Sequence, residues 1–215
     1  MSWQMACELA EGGLVSIEIF FLTLIFSLPL GLVICGGVLS RCSFVRVPTQ
    51  VFISIMRGTP LMLQLFLVYF SPYYLGGMRL APWYRFTAVI IAFSLNYACY
   101  FAEIYRGGIL SVSDGQREAA RALGLTSLKT FFFVILPQAI RNSLPSITNE
   151  VITLVKDTSL AFALSVLEIF TVARMAASAN TTLIPFVAVG VFYYVFNCLV
   201  AWVMSRAEKA FRLHD

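Results

Sequence analysis

Apolar residues occur in four long runs, each long enough for a helix to cross a bilayer. The runs cover residues 14–39, 51–75, 84–105 and 183–205, and their few charges lie toward their ends. Because a bilayer core needs about 20 mostly apolar helical residues, the pattern predicts four membrane-spanning helices.

A fifth, weaker run at residues 139–155 contains Arg141, Pro145 and Glu150. Charged side chains inside a membrane need partners or water, so this helix should be buried in protein or line a cavity. The apolar stretch 160–170 that follows is too short to cross and is typical of a re-entrant or capping helix. The sequence therefore predicts an all-α polytopic membrane protein with five transmembrane helices and a short outer gate helix.

Composition agrees with a membrane protein and argues against other classes. Hydrophobic residues make up 60% of the chain and charged residues 12%, whereas a soluble domain is nearer half apolar and a quarter charged. The net charge of +4 forms no dense basic stripe of the kind that binds nucleic acid, so no nucleic-acid partner is expected. The five cysteines have no paired metal-ligand spacing, so no metal site is expected.

Catalytic motifs are missing from the sequence. It contains no Ser/His/Asp set and no GxxxxGK[ST] loop, and the single histidine, His214, lies one residue from the end. We therefore expect no catalytic residue, and any ATPase must be another polypeptide.

Basic residues decide the predicted orientation, because cytoplasmic loops of membrane proteins are enriched in Lys and Arg. With the N-terminus outside, the cytoplasmic side receives Arg41, Arg46, Arg57, Arg106, Arg117, Arg121, Lys129, Arg141, Arg206, Lys209 and Arg212, and the outer side receives Arg79, Arg85, Lys156 and Arg174. We therefore expect an extracytoplasmic segment at 1–13, a transmembrane domain at 14–208 and a cytoplasmic tail at 209–215. The N-terminus lacks the basic region of a signal peptide.

The connection at about 113–137 is predicted to be a cytoplasmic helix–turn–helix. Residues 116–123 form an amphipathic pattern, Gly124 breaks it, and a second helix is expected before Pro137. Two interpretations fit this pattern. The first helix is a ridge that docks into a partner's groove, or the connection is a solvated loop on the membrane surface.

Four segments resemble those of a known transporter family. The loop residues Glu118, Ala119, Ala120 and Gly124, followed by Ile135-Leu136-Pro137, resemble the EAA loop of bacterial ABC importer permeases. The other three segments resemble those of the histidine/glutamine/arginine-type permeases: RGTPL with QL at 57–65, AEIYRGGI at 102–109 and KDTSL at 156–160. They occur in the family's order, and the resemblance covers roughly residues 12–208.

The resemblance implies a permease subunit in the bacterial cytoplasmic membrane that imports polar amino acids. It implies that two ATP-binding cassette subunits dock on the coupling loops through Glu118, Ala119, Ala120 and Gly124. A second permease copy or a homologue would complete the path, and an extracytoplasmic solute-binding protein would deliver the substrate. ATP and magnesium would be used by the partner, so no cofactor is expected on this chain.

Acidic residues near the fifth run are candidate substrate ligands. Glu150 lies within that run, and the seven-residue spacing places Asp157 on the same helix face two turns later. They form either a structural ion network, in which Lys156 neutralises one acid, or the lining of a substrate pocket that favours cationic amino acids. Asn96, in the middle of the third run, is expected to make either an interhelical hydrogen bond or a substrate contact.

Three further residues are expected to shape the helices. Arg57 is interpreted mainly as a structural anchor, flanked by Gly58 and Pro60. Pro145 predicts a kink that serves either as a hinge for alternating access or as a packing feature. Glu103 and Arg106 are spaced for an ion pair on one helix face.

Two other functions remain open at this point. An ion-driven carrier or channel would also be polytopic, but it needs no docking helix. A membrane-embedded enzyme would need several catalytic side chains at one depth, and the sequence offers isolated carboxylates instead.

Overall fold

The computed structural model of the chain describes residues 3–212, without the side chains of residues 211 and 212. The ends of the expected N-terminal segment 1–13 and tail 209–215, including His214, lie outside the described residues. Within the described range the chain is helical and contains no β-strand. The α-helices are α1 (Trp3–Val38), α2 (Ser43–Gly58), α3 (Leu61–Gly76), α4 (Tyr84–Leu110), α5 (Asp114–Ala122), α6 (Ser127–Thr130), α7 (Leu136–Asp157), α8 (Ile169–Asn180) and α9 (Ile184–Arg212).

Three of these helices, α1, α4 and α9, are each long and apolar enough to cross a membrane. Two bent pairs meet the same criterion when their members are counted together. These are α2 with α3, bent by 111°, and the helical stretch Ser127–Leu164 with α8, bent by 58°. The all-α polytopic prediction is confirmed, and the described residues provide five spans if each bent pair is one span.

Close packing between α1 and α4 forms the centre of the fold. Small residues recur at every fourth position of α1, at Thr23, Ser27 and Gly31, and all three are buried. A Cβ atom added at Gly31 would lie 3.0 Å from the Cβ of Phe101 on α4. Small side chains let neighbouring helices approach closely in a membrane, where apolar burial does not drive them together.

The first helix begins earlier than the predicted first span. Residues 3–13, expected as a separate extracytoplasmic segment, continue α1 because they pack on α8. Leu9 joins an apolar cluster with Ile169 and Ala173, and a Cβ at Gly12 would lie 3.0 Å from the backbone of Ile169.

The predicted second span is not one continuous helix. Thr59 and Pro60 are both extended and separate α2 from α3, since the residue before a proline is sterically disfavoured in the α conformation. The Gln64 amide donates to the carbonyls of Met56 at 2.8 Å and Thr59 at 3.1 Å, and also to the Thr59 hydroxyl. The Asn96 amide on α4 donates to the Met56 carbonyl and to Gln64 Oε1. These bonds hold the bend against α4.

The predicted end of a helix before Pro137 is wrong. The chain continues from α6 through a π-helical turn at Phe131–Ile135 into α7. Pro137 stands in the first turn of α7, and the backbone N–H of Leu136 bonds five residues back to Phe131. The wider turn places the proline where its missing N–H is tolerated. Pro145 lies inside α7, and the helix continues past it to Asp157.

The break in this second half lies after α7, not at Pro145. Residues Thr158–Leu164 form a 3₁₀ helix, and Ser165 has a left-handed backbone with φ of 56°. The gate helix expected at 160–170 therefore contains the break, and α8 starts at Ile169. The predicted position of the gate helix is wrong because Glu168 caps α8, and apolar periodicity alone does not show a cap.

Removing the Gln64 amide is expected to destabilise the bend. Gln64→Ala leaves the Thr59 carbonyl without its side-chain donor and removes several interhelical bonds, so we expect a loss of about 2 kcal/mol of unfolding free energy. Thermal unfolding of the detergent-solubilised protein measures it. Gln50→Ala, on the exposed part of α2, is the matched control, and an equal melting temperature for both variants would contradict the role of Gln64.

Candidate functional site

A polar cavity of about 1080 Å³ lies between the end of α2, the second half of α4 and α7. Its charged lining residues are Arg57, Glu103, Arg141 and Glu150. Its other polar lining residues include Tyr100, Ser111, Asn142, Ser143, Ser146 and Asn149. A cavity that offers both charge signs inside an apolar protein can solvate a polar ligand where lipid cannot.

Two arginines from different helices converge on one carboxylate at this cavity. Arg106 donates to both oxygens of Glu103, with the shortest distance at 2.8 Å, which confirms the predicted pair. Arg57 reaches the same carboxylate at 3.8 Å, and its guanidinium carbon lies 5.1 Å from the centre of the Tyr100 ring. The structure thus gives Arg57 a contact between α2 and α4, in agreement with its interpretation as a structural anchor.

Glu150 and Asp157 face α4 from one side of α7, as their seven-residue spacing predicts. Glu150 lines the cavity, and within residues 3–212 its side chain makes no ion pair or hydrogen bond. Asp157 is not among the residues that line the cavity, and its Oδ2 accepts a hydrogen bond of 2.7 Å from the hydroxyl of Tyr97 on α4. Lys156 is exposed and forms no ion pair with either acid in the described part of the chain. The expected direct neutralisation by Lys156 is therefore not seen.

Asn96 belongs to the bend between α2 and α3. It is buried, its amide donates to Met56 and Gln64, and it is not among the residues that line the cavity. This geometry favours the interhelical hydrogen bond over the substrate contact that we also expected from the sequence.

In the connection between α4 and α7, helix α5 ends abruptly. Gly124 follows α5 with a left-handed φ of 77°. The N–H of Leu125 bonds to the Ala120 carbonyl at 3.0 Å, and the N–H of Gly124 bonds to the Arg121 carbonyl at 2.9 Å. This pair of bonds is the Schellman motif that ends many helices at a glycine.

One face of α5 packs on the protein and the other is exposed. Ala120 is buried, whereas Glu118 and Ala119 are exposed. Beyond them Leu123 is 81% exposed and Leu128 is 70% exposed. A charged and small-residue ridge with protruding leucines is typical of a surface that binds another protein.

A buried carboxylate that sequence reasoning missed joins three helices. Glu168 has 0% exposure and accepts 2.7 Å bonds from the backbone N–H groups of Phe170 and Thr171 at the start of α8. The hydroxyls of Ser16 on α1 and Tyr193 on α9 each lie 3.4 Å from its Oε2. A glutamate inside an apolar stretch is itself a signal of a special role, but the hydroxyls of Ser16 and Tyr193 come from distant parts of the sequence.

The sequence is similar to a known family of membrane transport proteins. The family model for the binding-protein-dependent transport system inner membrane component matches residues 27–213. The octopine transport system permease protein OccM of Rhizobium radiobacter is 35% identical over 218 residues, covering 97% of this chain and 87% of that protein. The L-cystine transport system permease protein TcyB of Bacillus subtilis is 37% identical over 204 residues, covering 94% and 85%.

Solved structures agree with this fold. A crystal structure of an amino acid ABC transporter with histidines has a TM-score of 0.88 at 29% identity, covering 96% of this chain and 95% of that one. An inward-facing structure of the MetNI methionine ABC transporter has a TM-score of 0.76 at 20% identity, covering 98% and 99%. The second likeness supports the fold alone.

Neutralising Glu168 is expected to loosen the start of α8. In Glu168→Gln an amide NH₂ replaces one acceptor oxygen opposite a backbone donor, so at least one charge-assisted bond is lost. We expect a loss of about 2 kcal/mol, measured as a lower melting temperature in detergent. Glu18→Gln, an exposed position on α1, is the control. Unchanged melting of Glu168→Gln would show that the carboxylate does not hold the junction.

Proposed function

The chain belongs to the family of binding-protein-dependent transport system inner membrane components, and from that membership we propose how it carries a polar amino acid. It is the permease subunit of an ABC importer in the membrane, and a separate subunit hydrolyses ATP. The substrate class that we propose rests on one observation: the Glu150 carboxylate faces a polar cavity and forms no ion pair with a cation among the described residues.

The cavity provides complementary charges for a zwitterion. Glu150 is a partner for an α-ammonium group, and Arg57 lies on the same lining with its side chain 42% exposed. A guanidinium nitrogen of Arg57 lies 3.8 Å from a carboxylate oxygen of Glu103, which is longer than a direct hydrogen bond. A substrate α-carboxylate can therefore approach the guanidinium. This assignment adds a substrate contact to the structural role of Arg57.

The second acid favours a cationic side chain. Asp157 follows Glu150 by seven residues, which corresponds to about 10 Å along the helix axis. Its hydroxyl partner Tyr97 is a neutral donor, so this contact brings no protein cation to the carboxylate. A basic amino acid that binds Glu150 through its α-ammonium group can extend its side chain toward Asp157. The proposed substrates are therefore polar amino acids, with cationic ones preferred.

The orientation proposed from the basic residues places the cavity on the cytoplasmic side. With the N-terminus outside, the end of α4 at Ser111 faces the cytoplasm, and the cavity extends from there to Glu150. The described conformation would then be open inward. Alternation to an outward-open form requires α7 to move, and Pro145 on the cavity lining is the proposed hinge.

The exposed face of α5 is the proposed docking surface for an ATP-binding cassette subunit. Glu118 and Ala119 face solvent, Ala120 anchors the helix to the permease, and Gly124 ends it. ATP and magnesium act in that partner. A second permease copy or homologue and an extracytoplasmic solute-binding protein complete the proposed importer, as the resemblance implies.

Changes at the α5 turn are expected to uncouple ATPase activity from transport. Gly124→Ala forces an L-residue into the left-handed region at a cost of roughly 1–2 kcal/mol, and Glu118→Lys reverses the exposed charge. Both should weaken recovery of the ATP-binding subunit in a detergent pull-down and reduce substrate-stimulated ATPase activity. Gly115→Ala, inside α5, is the control, because the added Cβ would lie 4.0 Å from Ser113 Oγ, an ordinary contact.

The pull-down also separates the proposed importer from an ion-driven carrier. No association with an ATP-binding subunit in the wild type, together with continued uptake after ATP depletion at a clamped membrane potential, would favour the carrier. If Gly124→Ala and Glu118→Lys both recover the ATP-binding subunit and show normal substrate-stimulated ATPase activity, the proposed docking role of α5 is contradicted. The proposal that the chain is an importer subunit would stand.

Neutralising the cavity carboxylate is expected to weaken transport without affecting assembly. Glu150→Gln removes a charged hydrogen-bond acceptor, so the KM for lysine uptake should rise by about 10-fold or more. The KM is measured from lysine uptake by the reconstituted importer in proteoliposomes loaded with ATP. Glu18→Gln is the control, and an unchanged KM in Glu150→Gln would contradict the pocket.

A further inference from the structure

A second, smaller cavity lies where α5 meets the start of the helical stretch Ser127–Leu164. It has a volume of about 60 Å³ and shares no lining residue with the polar cavity at Glu150. Its lining residues come from α5, from α6 and from the π-helical turn, and they are Arg117, Arg121, Ser127, Thr130, Phe131 and Ile135. A water molecule needs about 10–15 Å³ of such space, so the cavity has room for about four or five water-sized groups. A tetrahedral oxyanion such as phosphate fits that space.

Two arginines give this cavity a positive charge. Arg117 and Arg121 are four residues apart on α5, so their side chains leave the same side of the helix. Arg121 is exposed and forms no ion pair among the described residues. Arg117 Nε lies 3.7 Å from Oδ1 of Asp114, whose side chain is 92% exposed, and an exposed pair of this kind holds its partners weakly. Both guanidinium groups can therefore bind an anion at the cavity.

The lining also contains a buried hydroxyl without a partner. Thr130 is 6% exposed, and its Oγ1 has no hydrogen-bond partner among the described residues. A buried hydroxyl that makes no hydrogen bond costs free energy, and an anion in the cavity would bring acceptor oxygens beside it. The hydroxyl of Ser127 is a further donor on the same lining. Guanidinium and hydroxyl donors around one small space are complementary to the oxygens of a phosphate group.

The surroundings of the cavity are those of a bilayer interface. The stretch Ser127–Leu164, counted with α8, is long and apolar enough to cross a membrane, and the cavity lies at its beginning. In the same turns Phe132 is 52% exposed and Phe133 is 76% exposed. Exposed aromatic residues at the end of a span are typical of the headgroup level. The cavity is therefore expected at the depth of the lipid phosphates.

We propose that this cavity binds the phosphate group of an anionic phospholipid, held by Arg117 and Arg121. Phe132 and Phe133 then lie beside the acyl chains. Arginine suits this ligand because its planar fork of donors matches the oxygens of a phosphate, and basic pockets beside membrane spans recognise lipid headgroups in this way. The site is separate from the proposed import function, because it requires neither the amino acid nor the ATP-binding subunit. A free phosphate ion has the same chemistry, and the experiment distinguishes the two sources.

The test measures the lipid retained by the full-length chain in detergent. The purified chain is mixed with equal amounts of phosphatidylglycerol and phosphatidylcholine, and the bound lipids are counted by native mass spectrometry. We expect phosphatidylglycerol to be retained about 10-fold more than phosphatidylcholine, and Arg121→Gln to remove most of this preference, because a charge-assisted bond to the phosphate is lost. Equal retention of both lipids by the unaltered chain would overturn the proposal.

Lys129→Gln is the matched control. Lys129 is exposed in α6 and is not among the residues that line the cavity. Its replacement therefore removes one positive charge from the same surface and leaves the cavity intact, so the preference for phosphatidylglycerol should remain. An equal loss of preference in Lys129→Gln and Arg121→Gln would show general attraction to a basic surface and would overturn the cavity as the site.

Thr130→Val separates lipid binding from folding. Valine replaces the hydroxyl by a methyl group of similar size, so retention of phosphatidylglycerol should fall by about 3-fold, the value of one neutral hydrogen bond. The melting temperature in lipid-free detergent should not fall, because the hydroxyl has no partner among the described residues. A lower melting temperature with unchanged lipid retention would overturn the role of Thr130 in the site.

Two further probes identify what carries the phosphate. Diacylglycerol, which has the acyl chains without the phosphate, should not be retained, and equal retention of diacylglycerol and phosphatidylglycerol would overturn a phosphate site. Inorganic phosphate in excess should displace little phosphatidylglycerol from the unaltered chain, because it lacks the acyl chains that contact the phenylalanines. If inorganic phosphate raises the melting temperature of the unaltered chain, but not of Arg121→Gln, while phosphatidylglycerol is not retained, the lipid assignment is overturned.

Discussion

Backbone and side-chain polar groups at the breaks between the helices of this chain are stabilised by partners inside the protein, because lipid offers them none. Three junctions show the same solution. Gln64 and Asn96 satisfy the carbonyls at the bend between α2 and α3, and Tyr97 satisfies one oxygen of Asp157. Backbone donors and hydroxyls surround Glu168. The places where the helices bend or end are the places where these bonds form.

The last two junctions are neighbours. Asp157 is followed by Thr158, whose hydroxyl lies 3.5 Å from that of Tyr193, and Tyr193 in turn contacts Glu168. The end of α7, the start of α8 and the middle of α9 therefore share one series of polar contacts. In the proposed importer this series lies between the substrate pocket and α8.

Much of the architecture could be predicted because its signals are local. Long apolar runs revealed α1, α4 and α9, and the helix–turn at Gly124 and the pair of Glu103 and Arg106 follow from spacings within one turn. Hydropathy averaged over 51–75 does not show the bend at Pro60, because apolar residues lie on both sides of it. Pro137 predicts a helix stop from the sequence, since a π-helical turn that accommodates it leaves no signal there. Tyr97, the partner of Asp157, and the Ser16 and Tyr193 hydroxyls beside Glu168 lie on other helices, so no spacing could identify them.

The donors around Glu168 come from both ends of the chain. Ser16 lies 152 residues before the glutamate and Tyr193 lies 25 residues after it. The junction between α7 and α8 is therefore closed by side chains of α1 and α9, the first and last helices of the described residues. The final helix of the chain completes a site that the first helix began.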